Sequence, residues 1–469
     1  MRAITLHSAV ICTSAFLLQA SAQAADFRMP QFETSKLANG ITVYLMEKHD
    51  TPLLTIRAVN KGGGKTDGDK NGIASLTGDS LLSGTASYTK NAFDQVMDFR
   101  GARVSSLTYA DSSALIADFA SADLDTILPL FAEALQKPAF DEGEFKKLQA
   151  QTLDKIKNAK ESPREVIGNY YTHLVYGNAP YGLPATNANS IKALQIKDIQ
   201  QYYQSYYRPD TTALIVVGDF KPSVMKAKLQ SLFGNWKATG AAPSLPLGGE
   251  IKADKARVLL VNKADAGETT FIFGGKGIAR NDPAYVPLQV VNTVLGGRFT
   301  SWLNDELRVN SGLTYGANSY FLPFADSGLF MVNSFTATAK TEAALALAHK
   351  TYQRLWEKGI DAATLESAKA YVKGQFPPRY ETNQQLAGLL ADMFVTGTSR
   401  EQIDNFTKDV DSLTPEKAKA LIHKYFPKDK LQMVLVGKAD AIKEIAAKYG
   451  EVRQLEINDY DQGFATPAK

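Results

Sequence analysis

Cysteine is almost absent from this sequence, because Cys12 is the only one in 469 residues. With a single thiol the chain forms no internal disulfide, and a disulfide scaffold or a cysteine-ligated metal site is excluded. Neither sign of charge is in large excess, because the chain has 52 lysines and arginines and 49 aspartates and glutamates, which gives a net charge of +3. This balance does not indicate nucleic acid as a partner.

Histidine and long apolar runs are scarce as well. Beyond the N-terminal region no two histidines are three to five residues apart, the spacing that places two imidazoles on one helix face. The histidines are His7, His49, His173, His349 and His423. No stretch reaches the roughly 18–20 apolar residues of a membrane-spanning helix. The sequence therefore predicts no membrane span and no helical histidine pair for a metal.

The N-terminal residues 1–24 have the pattern of a secretory signal peptide. One basic residue precedes an apolar run from Ala9 to Leu18, and small residues follow at Ala22 and Ala24. This order is typical of a leader with an A-x-A-like cleavage site, and the shortness of the run disfavours the alternative of a buried helix. We expect export to the bacterial periplasm and removal of the leader, which contains the single cysteine.

An internal repeat organises the rest of the chain. Residues Leu194–Asp219 and Leu413–Asp440 both contain an amphipathic helix, an aromatic pair, proline, aspartate, an apolar strand and glycine. The two segments begin 219 residues apart, and their glycines Gly218 and Gly437 keep the same offset. One offset at two landmarks indicates a duplicated unit.

The repeat predicts two homologous halves, residues 25–237 and 256–469, joined by a linker at 238–255 that is rich in glycine, alanine and proline. Within each half, strand and helix patterns mix without strict alternation, which predicts α+β layers. Apolar periodicity predicts helices that include Leu124–Gln136, Glu142–Ala159 and Ile191–Tyr206. No dinucleotide-binding or P-loop motif is present.

A polar stretch in the first half has the opening of a calcium-binding loop. Asp67, Asp69 and Asn71 match the first ligand positions of an EF-hand. The twelfth position is Gly78, where a bidentate glutamate is required. We therefore predict a polar turn at this stretch.

Several motifs in both halves resemble those of one family. In the first half they are LANGITVYL, GIASLTGDSLLSGT, LTYADSSAL and a long helix ending in KESP, and in the second half LGGRFTSWLNDELRVNSGLTYG. Together they resemble the pitrilysin/insulinase (M16) family of zinc peptidases, which includes the mitochondrial processing peptidases. The resemblance spans most of residues 33–440. It implies an α+β fold of two homologous halves in a clamshell arrangement, each half of two related α/β sandwich subdomains with a mixed or antiparallel sheet.

The family's zinc motif is the main departure. The resemblance implies H-x-x-E-H on one helix and a glutamate ligand on a later helix, so that two imidazoles bind zinc while a carboxylate activates its water. Aligned on the shared motifs, this chain has Ser75, Gly78 and Asp79 at the three positions and Lys155 at the distal one. A lysine there repels a cation. We expect no metal and no cofactor in this chain.

Arg308 and Tyr315 are the candidate catalytic residues. A guanidinium can hold a peptide carbonyl or carboxylate, and a phenol can donate a hydrogen bond to an oxyanion. Judged by their spacing alone, Arg308 would more often form a salt bridge and Tyr315 would more often be a buried phenol. It is the family resemblance that implies a catalytic role. It also implies substrate contacts from Ser105 and Thr108 and from the Gly296–Gly297 pair, although the glycines equally fit a helix turn.

The resemblance implies a chain that has lost the zinc and kept the Arg/Tyr pair. We expect the non-zinc subunit of a periplasmic heterodimeric metallopeptidase, with an H-x-x-E-H homologue as its zinc-bearing partner and peptides as substrates. The main alternative is a non-catalytic structural or peptide-binding protein. A metal-independent hydrolase is a third reading, but the sequence has no recognisable nucleophile and base pair.

Overall fold

The computed structural model describes residues 27–183, 187–251 and 253–462. The predicted signal peptide and its cysteine lie outside the described residues. The strands are β1 Glu33–Lys36, β2 Thr42–Glu47, β3 Leu53–Lys61, β4 Arg103–Thr108, β5 Ser112–Ala120, β6 Thr212–Gly218, β7 Arg257–Asn262, β8 Glu268–Lys276, β9 Ala317–Pro323, β10 Gly328–Ala337, β11 Gln432–Gly437 and β12 Glu451–Glu456.

Most helices flank these strands, and short 3₁₀ turns join some of them. The α-helices are α1 Ile73–Ser80, α2 Lys90–Phe99, α3 Leu124–Gln136, α4 Glu142–Ala159, α5 Pro163–Tyr176, α6 Ala188–Ala193, α7 Ile196–Tyr206, α8 Pro222–Phe233, α9 Tyr285–Asn292, α10 Trp302–Asn304, α11 Thr341–Glu357, α12 Ala362–Gln375, α13 Asn383–Thr396, α14 Arg400–Asp404, α15 Phe406–Asp411, α16 Pro415–Tyr425 and α17 Ala439–Ala446. Two π-helical segments, Thr293–Gly297 and Asp305–Asn310, extend α9 and α10.

The strands form two six-stranded mixed sheets, one in each half. The strand orders are β1-β2-β6-β3-β5-β4 and β12-β7-β11-β8-β10-β9. In each sheet one inner pair is parallel, β2 with β6 and β7 with β11, while the pairs toward β4 or β9 are antiparallel. The sheets differ at one edge, where β1 is antiparallel to β2 but β12 is parallel to β7. Apart from that edge, equivalent strands of the repeat occupy equivalent positions.

The predicted α+β fold with two homologous halves is confirmed. The family resemblance also implies two sandwich subdomains in each half. In the structure each half has one six-stranded sheet, so its layers are that sheet and the helices packed on it. Strands β6 and β11 are buried along their whole length, as expected for uninterrupted apolar runs covered on both faces. Strands β4 and β9 lie at open edges and alternate between covered and exposed residues.

Helices α5 and α13 are exchanged between the halves. They begin 220 residues apart and are counterparts in the repeat. Helix α5 of the first half packs on β8 and β11, and α13 of the second half packs on β3 and β6. The Tyr171 hydroxyl donates to the Phe330 carbonyl at 2.9 Å, and the Asn383 amide donates to the Leu53 carbonyl at 3.1 Å. Two buried clusters therefore combine side chains of both halves, and a further cluster belongs to the first half alone.

The segment between the halves crosses from one to the other without regular structure. Residues 238–251 contain neither helix nor strand. The Gly248 amide donates to Asp326 at 3.0 Å, and its carbonyl accepts from the Tyr181 amide at 3.1 Å. The segment is thus attached to both halves, while the exact domain boundaries stay a prediction. Among the described residues, no helix combines the length and apolarity needed to cross a bilayer.

Candidate functional site

Helix α1 carries the positions of the missing zinc motif, and its start is built by the predicted polar turn. The Asp67 carboxylate accepts from the amides of Gly72 at 2.6 Å and Ala74 at 3.0 Å. Gly72 has φ of 93°, a left-handed conformation that glycine adopts without strain. Burial raises the pKa of Asp67 to about 6. The stretch that begins like a calcium loop therefore caps a helix.

Ser75 and Lys155 line one cavity between α1, α4 and α5. Its volume is about 290 Å³. Both side chains are exposed, and buried Leu76 and Ile156 line the cavity with them. The distal position of the family's zinc site thus holds a cation beside a serine hydroxyl. Neither Arg308 nor Tyr315 lines this cavity.

Gly78 and Asp79 complete the altered motif. A Cβ at Gly78 would lie 2.5 Å from the Ser106 Oγ and 3.3 Å from the Tyr207 hydroxyl, so hydroxyl groups fill the space where a glutamate side chain would begin. Burial raises the pKa of Asp79, and the nearby charge of Lys155 opposes that rise.

The residues Ser75, Gly78, Asp79 and Lys155 do not provide the ligands that a zinc ion needs. The altered motif offers no imidazole, and its one carboxylate lies beside an ammonium group. Within the described ranges, no group of three or more histidine, cysteine, aspartate or glutamate side chains is placed to hold a metal. We therefore assign no metal-dependent step to this chain's own first half.

Strand β4 places the two predicted substrate contacts on opposite faces. Successive strand residues point to alternate sides, so Ser105 lies on the exposed face and Thr108 on the face toward α1. The Thr108 Oγ1 is 3.3 Å from the Ser113 Oγ. Ser106, next to Ser105 in sequence, shares the face of Thr108. Tyr207 was missed, because nothing in the sequence places it beside α1.

The Gly296–Gly297 pair ends a π-helical segment against β9. A Cβ at Gly296 would collide with the backbone nitrogen and hydroxyl of Ser319. Asn292 holds the same strand, because its amide donates to the Ser319 carbonyl at 2.8 Å and its Oδ1 accepts from the Ser319 hydroxyl at 2.7 Å. The close backbone approach at Gly296 is thus to the chain's own strand, and a substrate contact there stays a prediction.

Arg308 and Tyr315 lie on either side of one tight turn. Arg308 belongs to the π-helical segment Asp305–Asn310, and Tyr315 precedes β9 by two residues. The turn is closed by the Leu307 carbonyl, which accepts from the amides of residues 313 and 314 at 2.8 and 3.2 Å. The Tyr315 side chain is 83% exposed, and Arg308 is exposed with its guanidinium carbon 4.7 Å from the Phe299 ring centre. Within the described chain neither side chain has a hydrogen-bond or ion-pair partner.

Exposed apolar side chains are frequent in the segment that carries this pair. Five of the twelve large hydrophobic residues exposed in the described chain fall within residues 299–322: Phe299, Val309, Tyr315, Tyr320 and Leu322. We call Phe299, Arg308, Val309 and Tyr315 the Arg/Tyr surface. Exposed apolar groups that form a patch mark interaction sites in soluble proteins.

Family models match both halves of the chain. Residues 42–189 match the insulinase model of peptidase family M16, and residues 193–372 match the model described as the peptidase M16 inactive domain. The chain is 23% identical to the uncharacterized zinc protease YmxG of Bacillus subtilis over 395 residues, 84% of this chain and 91% of that protein. It is 25% identical to the zinc protease PqqE of Helicobacter pylori over 401 residues, 84% of this chain and 89% of that protein.

Solved structures agree with these matches. A peptidase M16 inactive domain from Pseudomonas fluorescens superposes with a TM-score of 0.81 at 25% identity, covering 87% of this chain and 98% of that one. A protease from Helicobacter pylori has the same fold, with a TM-score of 0.79 at 23% identity, covering 87% of this chain and 100% of that one. With its two repeated sheets and the motifs of both halves, the chain belongs to the M16, or insulinase, family of peptidases.

Proposed function

We propose that this chain is the non-zinc subunit of a heterodimeric M16 peptidase and contributes Arg308 and Tyr315 to peptide hydrolysis at the zinc site of a partner chain. The observation that carries the proposal is the state of Tyr315. Its side chain is 83% exposed, and its hydroxyl bonds to no described residue. A phenol held at the end of a tight turn among exposed apolar groups is available to a molecule outside the chain.

Each residue has a role that its chemistry supports. The Tyr315 hydroxyl would donate a hydrogen bond to the oxyanion that forms when a peptide carbonyl is attacked. The Arg308 guanidinium would hold a neighbouring carbonyl of the same peptide. Phe299 would position that guanidinium through the cation–π contact at 4.7 Å, which leaves the N–H groups free.

The first half supports the need for a partner. The positions Ser75, Gly78, Asp79 and Lys155 supply neither imidazoles nor a catalytic base, so the zinc and the attacking water would belong to a chain with an intact H-x-x-E-H motif. We further propose that both chains are exported to the periplasm, with residues 1–24 of this chain removed as the signal peptide.

The test is a co-expression experiment with an exported H-x-x-E-H homologue. We expect the two chains to purify together, and Tyr315→Phe to lower kcat for a peptide substrate by about 10²- to 10³-fold, the loss typical of one oxyanion donor. Tyr425→Phe removes a half-buried phenol on α16 and should leave kcat unchanged.

Two results would contradict the proposal. An unchanged kcat in the Tyr315→Phe complex would exclude the catalytic role and favour a non-catalytic, peptide-binding protein. Peptide cleavage by this chain alone, abolished by a chelator, would show that the first half does hold a metal.

A further inference from the structure

Two adjoining cavities lie in the second half, beside the edge strand β9. The near cavity, of about 360 Å³, is lined by β9, the π-helical segment after α9, and α12. The far cavity, of about 290 Å³, lies between α9, the 3₁₀ turn Pro377–Tyr380, α14 and α15. Four lining residues are common to both: Tyr285, Gln289, Arg379 and Phe406. We call the joined cavities the trough.

The two ends of the trough differ in chemistry. The near end has the phenols of Tyr320 and Tyr371 and uncharged amides, with Arg379 where it meets the far end. The far end combines aromatic rings with three carboxylates, those of Asp282, Glu401 and Asp409.

Charge at the far end is unbalanced. Arg280 lines it but is paired with Asp392 at 2.8 Å. Three carboxylates and the guanidinium of Arg379 remain, and Arg379 has no ion-pair partner among the described residues. Carboxylates therefore outnumber unpaired cations in the lining, while Lys424 and Lys408 lie outside it and act on Asp282 and Asp409.

The far end is firmly built. The rings of Phe376 and Phe406 are stacked with centres 3.5 Å apart. The Phe27 ring packs against Phe376 at 5.2 Å and against Tyr380 at 5.3 Å, which supports the aromatic wall from behind. A wall held this way is ready for a ligand without rearrangement.

Neighbouring residues connect the trough with the Arg/Tyr surface. The Arg308 guanidinium carbon lies 4.7 Å from the Phe299 ring centre, and that of Arg298, next to Phe299 in sequence, lies 6.0 Å from the Tyr371 ring centre. Tyr371 lines the near end. These contacts lead from Arg308 to the near end, so a peptide held at Arg308 can extend toward the trough.

We infer that the trough binds an extended segment of the peptide whose backbone Arg308 holds. An apolar side chain enters the near end, and a cation enters the far end, where carboxylates and aromatic faces complement it. The cation is an ammonium or guanidinium group, from a lysine or arginine side chain or from the peptide N-terminus. This inference rests on the proposed function, because it assigns the trough to the same substrate.

Peptide binding to the mature full chain, without any partner, tests the inference. The probe is a ten-residue peptide with one phenylalanine and one lysine, labelled at its C-terminus and followed by fluorescence anisotropy. We expect Glu401→Gln with Asp409→Asn to weaken binding at least about tenfold, the order expected for removing charged partners. Glu416→Gln with Asp440→Asn removes the same charge from exposed positions on α16 and α17 and should not weaken it.

Peptide variants identify the cation. Exchanging lysine for glutamate should weaken binding if a side chain enters the far end, and acetylating the N-terminus should weaken it if the terminal ammonium does. Equal affinity of the Glu401/Asp409 variant and the control variant, equal affinity of all peptides, or no binding at all would overturn the inference.

The result is separable from the proposed function. The Tyr315→Phe assay measures kcat in the complex, whereas the trough assay measures affinity of the chain alone. Weak binding by the trough variant together with an unchanged kcat for Tyr315→Phe would leave a peptide-binding protein without a catalytic role.

Discussion

At the scale of single residues, His349 links the packing of the second half to pH. It lies on α11 between the rings of Phe273 and Tyr449, with ring centres 4.3 and 4.7 Å away. Its Nε2 is buried and has no hydrogen-bond partner among the residues that the structure describes. Burial lowers the pKa of His349 to about 4. Because an unfolded histidine has a pKa of about 6.5, the unfolded chain binds this proton more readily between those two values.

We expect the free energy of unfolding to fall as the pH drops from about 6.5 toward about 4, with His349 contributing at most about 3 kcal/mol. His349→Leu should remove this part of the pH dependence. Urea denaturation at pH 7 and pH 4.5 measures it, and His423→Gln, at an exposed position on α16, is the control. Identical pH dependence in the wild type and His349→Leu would contradict the prediction. Asp67 acts in the opposite sense, because its raised pKa favours the folded chain at low pH.

Residue-level prediction rested on motifs that define a position. Ser75 and Lys155 were placed at one site by alignment to shared motifs, and they do line one cavity. It failed where three-dimensional neighbours decide the chemistry. Tyr207 lies beside Gly78 although it is 129 residues away in sequence, and the hydroxyl of Ser106, not that of its neighbour Ser105, fills the space there.

At the scale of elements, α1 and α4 bring the altered motif and the distal position close together. Residues 75 and 79 are four apart on α1, and Lys155 on α4 lines the cavity with Ser75 while its charge acts on Asp79. Positions four apart on a helix share a face, so side chains with metal-binding groups at these three positions could meet.

We expect Ser75→His, Asp79→His and Lys155→Glu together to create a site for about one zinc ion per chain. Calorimetric titration with zinc sulfate measures binding, and Ser75→His with Asp79→His alone, which retains Lys155, should bind far more weakly. The triple variant should not hydrolyse peptides, because Gly78 provides no catalytic base. A folded triple variant that binds no zinc would show that α4 does not face α1 in the assumed way.

Whether a helix could be predicted from the sequence depended on which part of the chain its apolar residues pack against. Helices α3 and α4 have the predicted bounds, whereas the predicted helix at Ile191–Tyr206 is two helices. The break falls at Gln195, which forms a capping box with Asp198 at the start of α7. Helices α5 and α13 escaped prediction, since their apolar residues pack on a sheet encoded far along the chain.

At the scale of the whole molecule, the exchanged helices predict that the two halves unfold together. The chain has three tryptophans. Trp236 packs in the core of the first half, while Trp302 and Trp356 pack in the core shared with the second. Replacing Trp302 and Trp356 with phenylalanine leaves a reporter for the first half, and replacing Trp236 leaves a reporter for the second.

We expect the urea midpoints of these two reporters to coincide, as in a single cooperative transition. Leu390→Ala, at a fully buried position on α13, should reduce the free energy of unfolding by about 2–5 kcal/mol. Both urea midpoints should therefore fall together. Two separated midpoints, or a loss confined to one reporter, would mean that the halves are independent.

The exchange of α5 and α13 also bears on how a substrate could be enclosed. A hinge between the halves of this chain would have to pull each helix off the sheet it covers, exposing buried apolar surface on both sides. Opening by that route costs as much as partial unfolding. Under the proposed function, a gate that admits a peptide is therefore expected where this chain meets its partner, and not at the linker between its own halves.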